Sequence, residues 1–103
     1  MIKLTTKQRA FLKSLAVNID VTYHIGKDKI GPELIKGLDD LLEKREIVKI
    51  DVLKTVSDDI QNLAITVSER TNSTLVQIIG RKIVLYKESK ENKKIDLKKL
   101  NVK

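Results

Sequence analysis

Leu75-Val76-Gln77-Ile78-Ile79-Gly80-Arg81-Lys82-Ile83-Val84-Leu85-Tyr86-Lys87 reads as two apolar strands folded back on each other at a two-residue Gly-Arg turn. Glycine at the first central position can take the positive φ that a primed hairpin turn demands. Arg81 and Lys82 fall before the apolar pattern restarts at Ile83, so they are expected to stay unburied, a positive tip in front of a rigid sheet. Working back from this hairpin, Val48, Ile50 and Val52 alternate with Lys49 and Asp51, and Val21, Tyr23 and Ile25 alternate with Thr22 and His24. Period-two alternation marks both stretches as strands.

Between the strands the period changes to that of helices. Leu34, Ile35, Leu38, Leu41 and Leu42 form an apolar stripe that Pro32 can open and that runs to about residue 45. Ile60, Leu63, Ala64 and Val67 form another, with Ser57 or Asp58 as the expected cap. A first helix opens at Thr5 or Thr6 and places Gln8, Phe11, Leu12 and Leu15 on one face. The order α-β-α-β-α-β-β predicts an α/β two-layer sandwich, a four-stranded mixed sheet covered by three helices. Helical crossovers favour right-handed parallel pairing, and the terminal hairpin adds an antiparallel strand. From Glu88 onward the chain is too polar to pack and reads as a mobile tail, with Ile95, Leu97 and Leu100 as weak docking points.

The 103 residues make one small domain, with an aliphatic core because there are one Phe, two Tyr and no Trp. The formal net charge of +7 favours a polyanionic partner. Its distribution says more. Residues 1–13 carry four bases and no acid, residues 87–103 carry seven lysines against three acids, and the middle has ten bases against eleven acids. The excess sits at the two ends, which a compact fold could bring to one face. With no cysteine there is no disulfide, thiolate nucleophile or cysteine-based zinc site. No apolar run approaches the length of a membrane span and no signal-peptide core is present, so a cytoplasmic location is expected.

Little points to catalysis. His24 is the sole histidine and lies mid-strand, and Asp39-Asp40 and Asp58-Asp59 are neighbours whose side chains diverge on a helix. No phosphate-loop or dinucleotide fingerprint occurs. The expectation is a protein that is no enzyme, with no catalytic residues, metal, cofactor or small-molecule substrate. The strongest binding candidate is the loop Gly26-Lys27-Asp28-Lys29-Ile30-Gly31, which ends at a helix N-terminus. There, backbone N–H groups and a partial positive charge can meet a phosphate. Pro32 removes one donor, and a plain strand-to-helix connection with solvated lysines is the simpler alternative. Tyr86 could stack a base, but with so few aromatics backbone electrostatics is the better mechanism.

Several stretches together resemble the YhbY-like proteins, single CRM (chloroplast RNA splicing and ribosome maturation) domains. They are Thr5-Thr6-Lys7-Gln8-Arg9, Tyr23-His24-Ile25-Gly26-Lys27, Leu41-Leu42-Glu43-Lys44-Arg45-Glu46-Ile47-Val48-Lys49, Leu75-Val76-Gln77-Ile78-Ile79-Gly80 and Ile83-Val84-Leu85-Tyr86-Lys87-Glu88-Ser89-Lys90-Glu91-Asn92-Lys93. The resemblance implies an RNA-binding protein that associates with precursors of the large ribosomal subunit. It also implies a fold similar to the C-terminal domain of translation initiation factor three. The family's Gly-x-x-Gly loop, comparable with the backbone clamp of KH domains, falls at residues 26–29. Here Gly26 matches the first glycine, Lys29 stands in place of the second, and Gly31 arrives two residues late.

These readings combine into one expectation: a CRM domain over residues 1–97 with a basic tail at 98–103, flexible from about residue 90. It would act as a monomer on ribosomal RNA in precursor large subunits. Gly26, Lys27 and Lys29 form the expected phosphate contact. Lys7, Arg9, Lys13, Arg81, Lys82 and Lys87 extend the positive face. The alternative is a protein-interaction module whose basic ends dock on an acidic partner.

Overall fold

In the computed structural model, which describes residues 3–26, 30–57, 59–93 and 95, each helix begins where the sequence supplies acceptors for its first amides. Helix α1 (Thr6–Val17) opens with a reciprocal capping box. Thr5 Oγ1 accepts from the Gln8 amide at 3.0 Å and Gln8 Oε1 accepts from the Thr5 amide at 2.9 Å. Gln8, Leu12 and Ala16, spaced by four, form its buried line. Strand β1 (Tyr23–Ile25) leads to helix α2 (Pro32–Arg45), capped by Gly31 with proline in the first turn. Strand β2 (Ile47–Val52) precedes helix α3 (Ile60–Arg70). The cap of α3 is Asp59, whose carboxylate accepts from the Gln61 amide at 3.1 Å, rather than Ser57; Asp58 lies outside the described residues. Strands β3 (Thr74–Ile79) and β4 (Lys82–Tyr86) form the terminal hairpin, with Gly80 at φ +58°.

The sheet is four-stranded and mixed, in the order β1-β2-β4-β3. β1 and β2 are parallel, with Tyr23 opposite Ile50 and Ile25 opposite Val52. β4 lies antiparallel between β2 and β3, so β2 and β3 run in one direction without touching. The two helical crossovers, β1 to β2 and β2 to β3, therefore advance the same way across the sheet. With the usual right-handed sense, both helices fall on one face. Ile25, Val48, Ile50, Val52, Ile83 and Leu85 meet α2 and α3 there. α1 is no crossover and takes the other face, where Leu12 and Ala16 pack on Ile47, Val76, Val84 and Tyr86. The expected three helices and four-stranded mixed sheet are present, but the layers number three rather than two because the helices divide between the faces. Each fully buried aliphatic side chain in these clusters contributes about 1.5–3 kcal/mol.

The connections from α2 to β2 and from α3 to β3 use left-handed backbone without glycine. Asn72, at φ +54°, turns the chain from α3 into β3, and the Ser73 amide closes the turn on Ser68 O at 2.9 Å. Glu46, at φ +66°, ends α2 and is fully buried. Its Oε2 accepts from the Ser89 amide and its Oε1 from the Ile95 amide, both at 2.7 Å. Glu43, one turn earlier, accepts through Oε2 from the Ser89 hydroxyl at 2.7 Å and the Glu91 amide at 3.0 Å, and through Oε1 from the Lys90 amide at 3.2 Å. The segment after β4 is thus held by carboxylates rather than by apolar burial, although Ile95 also joins the cluster under α1. Its polarity is the means of its docking.

The Glu43 interactions have a pH signature. The Ser89 hydroxyl, then the Lys90 and Glu91 amides, hold its carboxyl below the ordinary glutamate value of 4.5, more than desolvation raises it. A depressed folded value stabilises the docked segment above the ordinary value, and that stabilisation is lost as pH falls through the folded one. The Lys90 and Glu91 amides should therefore gain hydrogen-exchange protection from low pH up to neutrality relative to Glu43→Gln. Equal pH dependence in the variant would show that Glu43 does not hold the segment.

Candidate nucleic-acid interface

Strand direction gathers the candidate loop and the hairpin tip at one end of the sheet. β1 and β2 finish there, β3 ends there, and β4 begins there. Gly26 at the exit of β1, the β2–α3 connection and the Gly80-Arg81 turn consequently share that end of the sheet. Gly26 abuts the β2–α3 loop: a Cβ there would lie 3.3 Å from Leu53 Cδ1. Lys27 and Lys29 lie outside the described residues.

At the far side of the loop, Gly31 is extended, with φ −113° and ψ 175°, and offers no side-chain cap to α2. Pro32 has no N–H to give, and the Ile35 amide already reaches Gly31 O at 3.1 Å. Among the described residues, no side chain caps the Glu33 and Leu34 amides of this helix start. Such donors suit an anion, whereas the exposed Glu33 side chain opposes one.

The hairpin tip is less free than its sequence suggests. Arg81 is half-buried: its Nε donates to Val52 O at 3.0 Å, and its Nη2 to Leu53 O and Val56 O at 2.7 Å each. The guanidinium still carries its charge, but it is tied to the β2–α3 loop. Lys82 opens β4 and lies 3.6 Å from Asp51, whose other oxygen is 3.7 Å from His24 Nδ1. Both pairs are substantially exposed and contribute little energy.

The remaining cations divide between two places. Lys7 and Lys13 are exposed on α1 and have no ion pair among the described residues. Arg9 instead reaches β3, its Nη1 donating to Leu75 O at 3.0 Å and Val76 O at 2.6 Å, where a bulge interrupts the ladder. Lys87 sits at the opposite end of the sheet, its Nζ 2.9 Å from Thr71 O and 3.9 Å from Asp39 Oδ1. Lys87 is therefore not gathered with the tip residues. Tyr86 is buried under α1, so its ring presents no stacking surface.

Sequence patterns did not expose the carboxylate receptor formed by Glu43 and Glu46. One available signal was the lack of glycine where α2 ends, which leaves Glu46 to take a left-handed turn. Among the described residues, no three His, Cys, Asp or Glu side chains gather to hold a metal, and no helix is long and apolar enough to cross a membrane.

Comparison with known proteins agrees with this arrangement. Residues 4–87 match the model of the CRS1 / YhbY (CRM) domain. The chain is 43% identical over 94 residues to the Bacillus subtilis "Probable RNA-binding protein YqeI", covering 91% of this chain and 98% of that protein. It is 29% identical over 93 residues to a Haemophilus influenzae protein named "RNA-binding protein", covering 90% and 94% respectively. Among solved structures, the solution structure of the Staphylococcus aureus hypothetical protein SAV1595 matches with a TM-score of 0.76 and 53% identity, over 91% of this chain and 98% of that one. Agreement in sequence over nearly the whole length, and in the path of the backbone, places the chain in the CRS1/YhbY (CRM) domain family.

Proposed function

We propose that this chain binds RNA through the phosphate backbone and acts, as a cytoplasmic monomer, on precursors of the large ribosomal subunit. The family match over residues 4–87, together with relatives named as RNA-binding proteins, carries the reading. The start of α2 supports it, because it has no side-chain cap among the described residues and follows directly on the stretch of sequence that bears Lys27 and Lys29. In this mechanism Gly26 lets the loop approach a phosphate closely, and Lys27 and Lys29 supply the charge that the missing second glycine does not. Arg81 and Lys82 add positive field at the same edge, and Lys7, Arg9 and Lys13 add it along α1. Lys87 contributes only at long range. No step requires bond chemistry.

Sedimentation of a native lysate at low and high salt tests the biological half of the proposal. The expected result is migration with large-subunit precursors that salt and nuclease both abolish. Free migration under both conditions would contradict ribosomal association. A nuclease-resistant complex away from ribosomal particles would move the function to an acidic protein partner.

A further inference from the structure

Gly37 lies in the interior of α2, where glycine weakens a helix relative to alanine. No positive φ calls for glycine at this position. The reason for it is the ring of Tyr23. A Cβ at position 37 would overlap Tyr23 Oη and lie 2.9 Å from Cζ and 3.3 Å from Cε1. At Gly31 and Gly80 a Cβ would meet nothing within 4 Å, and at Gly26 it would touch Leu53 Cδ1 at 3.3 Å. Gly37 is thus the glycine whose side-chain space another residue fills.

The contact sits at the base of the β1–α2 connection. Tyr23 opens β1 just before Gly26, and Gly37 lies two turns into the helix that Gly31 caps. β1 is a short edge strand with β2 on one side, held by the Thr22 amide on Lys49 O at 3.1 Å and the Leu53 amide on Ile25 O at 2.9 Å. On α2 the fully buried anchors, Leu38 and Leu42, lie from the helix midpoint onward, whereas Leu34 and Ile35 near its start are half-buried. The Tyr23 ring therefore ties the edge strand to α2 just before its first buried anchor. Closing the chain between 23 and 37 confines what lies between, and freedom lost on folding is not lost again on binding.

We infer that Tyr23 and Gly37 form a clasp that holds Gly26 and the start of α2 at the spacing phosphate binding needs, which makes both of them positioning residues for RNA. The inference rests on the proposed loop contact and gives that contact a support outside the loop. Alanine at 37 cannot share the space, and because Tyr23 is half-buried its ring can swing out to solvent. The variant then gains helix propensity as it loses the ring contact. Stability and RNA affinity should consequently diverge, which a contact serving the fold alone would not produce.

Fluorescence anisotropy with a labelled mixed-sequence RNA, run beside thermal unfolding, tests the clasp. Gly37→Ala should unfold close to the parent yet bind about fivefold more weakly, the scale of ordering one or two side chains on binding. Tyr23→Leu should show a similar loss of affinity, and adding Gly37→Ala to it should change nothing further, because no ring is left to displace. In a background of Lys27→Glu with Lys29→Glu, Gly37→Ala should likewise have no effect. Parent affinity in either folded variant would overturn the clasp. So would an equal loss with and without the loop lysines, which would show the pair serving the fold rather than the loop. If Lys27→Glu with Lys29→Glu alone leaves affinity unchanged, the loop contact itself fails and the clasp falls with it. Tyr23→Leu leaves the sequence of α2 intact, so the test stands even where Gly37→Ala does not fold.

Discussion

Glu46→Ala is expected to cost about 2–5 kcal/mol and to release the segment from Ser89 to Ile95. The substitution orphans two buried amides that the carboxylate accepts at 2.7 Å each, and each buried unpaired donor costs about 1–3 kcal/mol. The loss is capped at the free energy of docking the segment, because undocked amides can turn to water. A second contribution comes from the backbone. Glu46 sits at φ +66°, where a Cβ is strained by about 1–2 kcal/mol and glycine is not. Glu46→Gly should therefore be the more stable of the two truncations. Glu46→Gln, which retains one acceptor oxygen, should be more stable than either. Urea unfolding of the three variants checks the order. Alanine and glycine variants as stable as the parent would show that the carboxylate carries no structural load.

Arg81→Ala is expected to cost about 1.5–3 kcal/mol, the scale of hydrogen bonds made by a charged donor at a partly exposed site. One guanidinium spans Val52 O, Leu53 O and Val56 O, which fixes the path of the chain from β2 towards α3. Lysine keeps the charge but cannot reproduce the fork, so Arg81→Lys should recover less than half of the stability. RNA affinity at low temperature separates the two roles. Arg81→Lys should bind nearly as well as the parent, because its charge persists, even though it melts earlier. If Arg81→Lys is fully stable, the three carbonyl contacts do not hold the loop.

The strands and helices were legible because each carries an unambiguous period. Val48, Ile50 and Val52 alternate, Leu34, Leu38 and Leu42 recur at helical spacing, and Gly80 announces the turn. The capping box was written in Thr5 and Gln8. The side of the sheet taken by α1 was not legible, since amphipathic spacing shows that a helix has a buried face but not which sheet face receives it. It follows only once β4 is seen to insert between β2 and β3.

The docking of residues 88–95 was hidden for a different reason. Composition treats Glu43, Glu46 and Ser89 as polar and hence solvated, whereas the two carboxylates accept from the Ser89 hydroxyl and from the Ser89 and Ile95 amides, more than forty residues away and invisible to any local pattern. Asp39 lies beside Lys87, and Glu43 holds the C-terminal segment, so part of the polar face of α2 is a receptor. Within the candidate interface, the residue types were visible in the sequence but their commitments were not. Arg9 and Arg81 read as surface charge, yet both spend donors on strand and loop carbonyls.

The most direct test of phosphate-backbone binding at the β1–α2 loop is a salt titration of RNA affinity for the parent protein and for Lys27→Glu combined with Lys29→Glu. The parent's log affinity should fall linearly with log salt concentration, and the double variant should bind more weakly with a slope shallower by about two, one per lost phosphate contact. Unchanged affinity and slope in the double variant would contradict the loop assignment, and salt-independent binding by the parent would contradict the backbone mechanism itself.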